Sequence, residues 1–201
     1  MKVDRQGKAA ILSETDEFNA LIGFSQMRQA LRNIALFMLG LYSGLRINEL
    51  RLLNIGDVRD PNCKIKEAFQ IRAQHTKTKI SRTVYIHPFA NNALAHYLTT
   101  RINALNKDPL WLSEHGGRVS PNCCQRTFQK AFRLAGIEGA STHSMRRTFI
   151  NRLHDLNVPL GVIRDLAGHT DISTTSGYIE VKESHKLAAV MALSSEQLVK
   201  F

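Results

Sequence analysis

The hydrophobic period of this chain departs from the helical one over a single stretch, and that departure fixes its fold class. Phe69, Ile71 and Ala73 alternate with Gln70, Arg72 and Gln74, and further on Val84 and Ile86 alternate with Thr83 and Tyr85. A period of two marks a half-buried strand, because successive side chains leave opposite faces of a pleated backbone. The two runs flank the polar segment Thr76-Lys77-Thr78-Lys79. They read as a β-hairpin over residues 68–87 with that segment at its tip. Residues 56–63 are expected to supply a third strand.

Elsewhere the period is helical. Ser13 followed by Glu14, Asp16 and Glu17 predicts a capped helix start with acids in its first turn. From Ser25 to Tyr42, Met27, Leu31, Ile34, Ala35, Met38 and Leu41 recur at helical spacing, and Ser43-Gly44 stops the run. A short helix from Leu45 to Leu53 follows. Beyond Pro88, helices are expected at 89–105, 121–135, 142–156 and 159–168, then near 172–179 and 182–193, with turns at Gly116-Gly117 and Gly136. The expected fold class is α+β, mainly α-helical with a small three-stranded antiparallel sheet. Its expected organisation is an N-terminal arm (1–11), one domain (12–181) and a C-terminal segment (182–201).

A chain of 201 residues is enough for one domain with a sizeable core. With 43% hydrophobic and 22% charged residues it has an ordinary globular balance. No apolar run is long enough to span a membrane, and charges interrupt the apolar residues at the N-terminus, unlike a secretory signal. Three cysteines, two of them adjacent at Cys123 and Cys124, make no disulfide framework, and no metal-ligand spacing occurs. The reading is a protein of the reducing cytoplasm without metal or cofactor. No glycine-rich loop follows a strand, which argues against nucleotide hydrolysis.

The net charge of +10 points to a polyanion, either nucleic acid or a membrane surface. The excess is concentrated. Residues 64–82 carry Lys64, Lys66, Arg72, Lys77, Lys79 and Arg82 against Glu67 alone, and 118–154 carry seven Lys or Arg against Glu138 alone. Basic blocks on a folded domain suggest a groove for phosphates.

Metal-free cleavage of a phosphodiester needs fixed cations on the non-bridging oxygens, a nucleophile, and an acid for the leaving 5′-oxygen. Three short patterns carry such groups. In Thr142-His143-Ser144-Met145-Arg146-Arg147, His143 and Arg146 share a helix face. In Ser43-Gly44-Leu45-Arg46-Ile47-Asn48-Glu49-Leu50, Glu49 is placed to hold Arg46 rigid. Leu166-Ala167-Gly168-His169 is followed nine residues later by Tyr178. Taken singly, each is more often a surface ion pair, a capping histidine or a half-buried tyrosine.

In this order, and with a lysine-bearing hairpin between the first two, the set resembles the tyrosine recombinases, the phage integrase family. The resemblance runs from about Leu12 to about Met191. It implies the catalytic-domain fold of that family and a site-specific recombinase that cuts and rejoins double-stranded DNA through a 3′-phosphotyrosyl bond. By the resemblance, Tyr178 is the nucleophile, Arg46 and Arg146 grip the phosphate, and His143 assists the tyrosine proton or orients the phosphate. His169 donates another hydrogen bond to the phosphate, and Lys77 protonates the leaving oxygen. Lys79 also lies on the tip, and the alignment favours Lys77 over it.

The pattern also departs from the family. Arg147 stands where a histidine is common, and Ala167 where a leucine is common. Only about eleven residues precede the first helix, where most members carry a DNA-clamping domain. In size the chain is similar to the fimbrial-switch inversion recombinases, so it reads as a natural minimal recombinase or as the catalytic part of a longer protein. The resemblance implies a tetramer on two DNA sites, a monomer or weak dimer when free, and room for accessory DNA-bending proteins. The segment 182–201 is apolar enough to dock on a neighbouring protomer or on its own domain. Gln125, Arg126, Gln129, Lys130 and Arg133 on helix 121–135 have the side chains to read a groove, with Lys79, Arg82 and Arg147 as further DNA contacts. A DNA-binding protein that has lost the chemistry, and a type IB topoisomerase, are the competing readings.

Overall fold

Ser13 opens the first helix as expected: its hydroxyl accepts the Asp16 N–H while the Asp16 carboxylate accepts the Ser13 N–H at 2.9 Å. The structure is a computed structural model, and it describes residues 8–76 and 80–192. The helices are α1 (Glu14–Ser25), α2 (Ala30–Ser43), α3 (Ile47–Arg51), α4 (Ile55–Val58), α5 (Pro88–Leu98), α6 (Pro121–Leu134), α7 (Thr142–Asp155), α8 (Leu160–Ala167), α9 (Ile172–Ser176) and α10 (Glu183–Met191). Strands β1 (Ala68–Ile71) and β2 (Arg82–Tyr85) lie between α4 and α5. The periodic run read from Ser25 onward is broken at its start: α1 ends at Ser25, and the left-handed Gln29 (φ 61°) leads into α2.

The helix α2 is the centre of the fold. It packs on α1, α3, α5 and α7, and α6 lies against α1, α3 and α7. Where α1, α2 and α6 meet, Phe24, Phe37, Phe128 and Phe132 interlock with ring centroids 5.1–6.3 Å apart. Trp111 is fully buried, stacks on Tyr97 and donates its indole N–H to the Leu50 carbonyl at 2.7 Å. A second, smaller core joins α7 to α8 through Ile150, Ile163 and Ala167, and the Tyr178 and Ile179 side chains pack onto it.

The hairpin pairs Phe69 with Val84 and Ile71 with Arg82, and buries Phe69, Ile71, Val84 and Ile86 as the alternation predicts. Among the described residues the sheet has two strands, so the expected third strand is corrected. The Asp57 carboxylate accepts the Asn54 N–H at 2.7 Å and draws residues 55–58 into the turn α4. The chain then reverses through Cys63 (φ 63°), leaving a single bridge between Arg59 and Ile65. No helix among the described residues is long and apolar enough to cross a membrane.

Candidate active site

Arg146 is the buried cation around which the site is built. It projects from α7 and is 1% exposed, so its charge needs partners. Its Nη1 donates to the Gly44 carbonyl at 2.7 Å, and its Nη2 meets Nε2 of His169. The carbonyl is available because Gly44 ends α2 in the left-handed region (φ 63°), where a side chain would also strike the Phe149 ring. A guanidinium only donates, so Nε2 of His169 accepts and the imidazole proton sits on Nδ1. From there it is donated to Thr175 Oγ1, 2.8 Å away on the buried face of α9. Burial, then the charges of Arg146, Arg46 and Arg82, push the His169 pKa down to about 4, so the ring is neutral at physiological pH. Burial, then the Arg46 charge, push Arg146 below the usual guanidinium value, and it stays a cation.

Glu49 organises the second arginine. Its carboxylate is 1% exposed and accepts the Arg46 backbone N–H at 2.8 Å, with Arg46 Nη1 at 3.4 Å. It also takes a two-pronged bond from Arg82, at 3.2 and 2.9 Å. Burial alone raises its pKa, but the hydrogen bond and charge of Arg82, followed by Arg46, hold it below the ordinary carboxylate value. Arg82 reaches Glu49 because residues 82, 84 and 86 share the inner face of the hairpin. The guanidinium lies where a Cβ on Gly168 would fall, 2.6 Å away, and Gly168 itself is left-handed (φ 67°). One glycine thus ends α8, admits Arg82 and delivers His169 to the site.

Tyr178 closes the arrangement. Its ring stacks on His169 with centroids 5.4 Å apart, and the Arg146 guanidinium carbon lies 5.8 Å from its centroid. Tyr178, Gly177, Ser173 and Thr174 line a cavity of about 320 Å³ together with His143, Arg147, Lys8 and Ala9. His143 sits exposed in the first turn of α7, with Ser141 as the cap. Arg46, Glu49, Arg146, His169 and Tyr178 are therefore brought together, and His143 opens on the same cavity as Tyr178. Lys77 and Lys79 lie outside the described residues.

The expected DNA contacts divide. On α6 the apolar side buries Cys124, Phe128, Ala131 and Phe132, and Gln125, Arg126, Gln129, Lys130 and Arg133 are all exposed. Arg82 and Arg147 instead face the protein. Arg82 is committed to Glu49, and Arg147, 6% exposed, pairs with Glu180 and donates to the Ala9 carbonyl. The arm is held too: the Ala10 N–H bonds to the Gly139 carbonyl and Leu12 N–H to Thr148 Oγ1, while Lys8 Nζ reaches the Gly177 carbonyl at 2.9 Å. Helix α10 has no buried residue and leaves Leu187, Val190 and Met191 exposed. Lys182 at its cap pairs with Asp155 at the end of α7.

Residue patterns alone overlooked Thr175 and Asn151. Thr175 stands six residues after His169 in a helix of five residues, too short for a periodic signal. Asn151 lies on the inner side of α7, between the helix and the tyrosine segment, and only the folded chain brings it there.

A family model described as the phage integrase family matches residues 13–185. The chain is 29% identical over 164 residues to the tyrosine recombinase XerC of Caldanaerobacter subterraneus subsp. tengcongensis, spanning 79% of this chain and 44% of that protein. It is 31% identical over 163 residues to XerC of Thermodesulfovibrio yellowstonii, spanning 77% and 52%. The chain thus spans about half the length of these curated relatives. Among solved structures, the XerA recombinase shares the fold with a TM-score of 0.76 at 22% identity, covering 94% of this chain and 66% of that one. XerH bound to its difH substrate in a post-cleavage complex gives 0.72 at 19% identity, covering 92% and 53%.

Proposed function

Because the chain belongs to the phage integrase family, we propose that it is the catalytic domain of a site-specific recombinase acting on double-stranded DNA. The observation that carries this reading is the packing of the Tyr178 ring against both the His169 ring and the Arg146 guanidinium, in one chain. It puts a nucleophile beside a fixed cation and a neutral imidazole, which is what a phosphoryl centre requires.

In the proposed reaction the Tyr178 oxygen loses its proton and bonds to phosphorus, and the bond from phosphorus to the 5′-oxygen breaks. The 3′ end is left on the enzyme, and the 5′-oxygen leaves as a hydroxyl once it has taken a proton. A phenol of pKa about 10 is a weak nucleophile near neutral pH, so neighbouring cations or a base must assist it. His143, which lines the same cavity, is assigned that proton. Arg46 and Arg146 neutralise the charge that builds on the non-bridging oxygens, and they cannot lose their own charge at neutral pH. Lys77 is assigned the proton for the leaving oxygen by the family pattern. A phosphate oxygen entering the site takes the Arg146 donor that His169 now holds. Thr175 can donate to Nδ1 as well as accept from it, so the ring can then present an Nε2 proton to the phosphate. Since Tyr178 lies against its own chain's Arg146 and His169, the arrangement supports cleavage in cis.

The residue division stays as the sequence suggests: an arm, a catalytic domain over 12–181, and a segment 182–201 for contact between protomers. Double-stranded DNA, self-assembly on two sites and a cytoplasmic location complete the proposal. The exposed polar side of α6 supplies a surface for the duplex, with binding that weakens as salt rises.

The test is covalent capture. The protein is incubated with nicked suicide DNA sites taken from the flanks of its gene, with Tyr178→Phe as the control. An adduct that migrates with the protein on denaturing gels, and is absent for the Phe variant, is the expected result. Failure to trap any adduct on a site that the protein binds specifically contradicts the proposal.

A further inference from the structure

Two residues of α7 that the proposed chemistry does not use hold the backbone on which the tyrosine is carried. Asn151 is 4% exposed, and both polar atoms of its side-chain amide are engaged. Its Nδ2 donates to the Arg147 carbonyl at 2.9 Å and to the Tyr178 carbonyl at 2.8 Å, and its Oδ1 accepts the Glu180 N–H at 2.8 Å. The amide thus offers a donor and an acceptor to the carbonyl of one residue and the N–H two places on, as a neighbouring strand would. One turn earlier on the same face, Arg147 grips the Glu180 carboxylate and the Ala9 carbonyl. Downstream, α10 has no buried residue and meets α7 through exposed contacts such as the Lys182–Asp155 ion pair, so the buried holds on this segment lie upstream of it.

We infer that Asn151, backed by the Arg147–Glu180 pair, is a positioning residue for the nucleophile. It ties the peptide after Tyr178 to the helix that carries Arg146, so the attacking oxygen and the cation that holds the phosphate move as one body. Asparagine suits the task for a chemical reason. Aspartate keeps the acceptor for Glu180 but turns an oxygen toward two carbonyls, and alanine leaves both backbone groups unpaired. A displacement of about 1 Å in an attacking group is enough to slow a reaction about a hundredfold. The inference rests on the proposal that Tyr178 is the nucleophile.

The test is single-turnover cleavage of a suicide site at saturating protein, with the dissociation constant for the same DNA measured alongside. Asn151→Ala and Asn151→Asp are expected to slow adduct formation about 10- to 100-fold while DNA affinity changes less than about twofold. Glu180→Ala, on a partly exposed side chain, is expected to slow it by a smaller factor. A substrate whose 5′-bridging oxygen is replaced by sulfur separates this from a leaving-group defect, because a thiolate departs without a proton. The Asn151 variants are expected to stay slow on it relative to wild type, whereas a variant lacking the general acid recovers. The inference is overturned if a folded Asn151 variant cleaves at the wild-type rate, or if the sulfur substrate restores it. If neither variant folds, Glu180→Ala at the wild-type rate overturns it. Absence of an adduct from the wild-type protein itself counts against the recombinase proposal instead.

Discussion

Nη2 of Arg146 donates to Nε2 of His169, and this one contact fixes the protonation state of the ring. The proton is confined to Nδ1, and the chain of bonds ends on Thr175 Oγ1. A nitrogen HMBC spectrum of the free protein is expected to show the Nδ1–H tautomer, with no protonation of His169 between pH 8 and 5. The folded value of about 4 lies below the ordinary imidazole value of 6.5, so between these limits the unfolded chain binds the extra proton. The stabilising contribution is therefore whole above pH 6.5 and is lost as pH falls toward 4. Urea unfolding at pH 7 and 5 checks the sign: His169→Gln should lose less stability over that interval than wild type.

Thr175 is fully buried and makes the last bond of that chain. Thr175→Val keeps the shape and removes the hydroxyl, leaving the imidazole N–H without an acceptor. We expect adduct formation to slow about tenfold, matching the loss of roughly 1.4 kcal/mol for one buried hydrogen bond. Thr175→Ser should restore most of the rate. Equal rates for Val and wild type would show that the hydroxyl has no part in the reaction.

Glu49 neutralises two arginines from a position sealed off from solvent. Glu49→Gln leaves Arg82 buried with no counter-charge, and removing one partner of such a pair destabilises by about 3–5 kcal/mol. Chemical denaturation should show a loss of that order, with cleavage reduced because Arg46 is no longer held. Loss of cleavage with unchanged stability would contradict the structural role.

Deleting residues 182–201 removes α10, whose Leu187, Val190 and Met191 are 60, 63 and 74% exposed. Recombination between two sites is expected to fall much further than binding to one. Equal losses in a recombination assay and a gel-shift assay would sink the idea that this segment joins protomers.

Much of the fold could be read from periodicity. The alternation at Phe69, Ile71, Val84 and Ile86 located the hairpin, and Ser13 and Gly44 marked helix ends, because these are local effects of backbone sterics and capping. The third strand failed for a local reason as well: Asp57 captures the Asn54 N–H and bends 55–58 into a turn. The grouping of Arg46, Glu49, Arg146, His169 and Tyr178 followed from motif order. Their supports did not. Arg82 belongs to the basic block 64–82 and so reads as a DNA contact, whereas the folded hairpin turns it inward with Val84. Only the fold supplies the acid that makes burial tolerable. Arg147 was hidden in the same way, since Glu180 and Ala9 lie 33 and 138 residues away.

The most direct test of the account is to identify the atom that DNA is joined to. After capture on a suicide site, trypsin and nuclease digestion followed by mass spectrometry should place the nucleotide remnant on Tyr178, in the peptide from Asp165 to Lys182. A remnant on any other residue, or an adduct that persists in Tyr178→Phe, would contradict it.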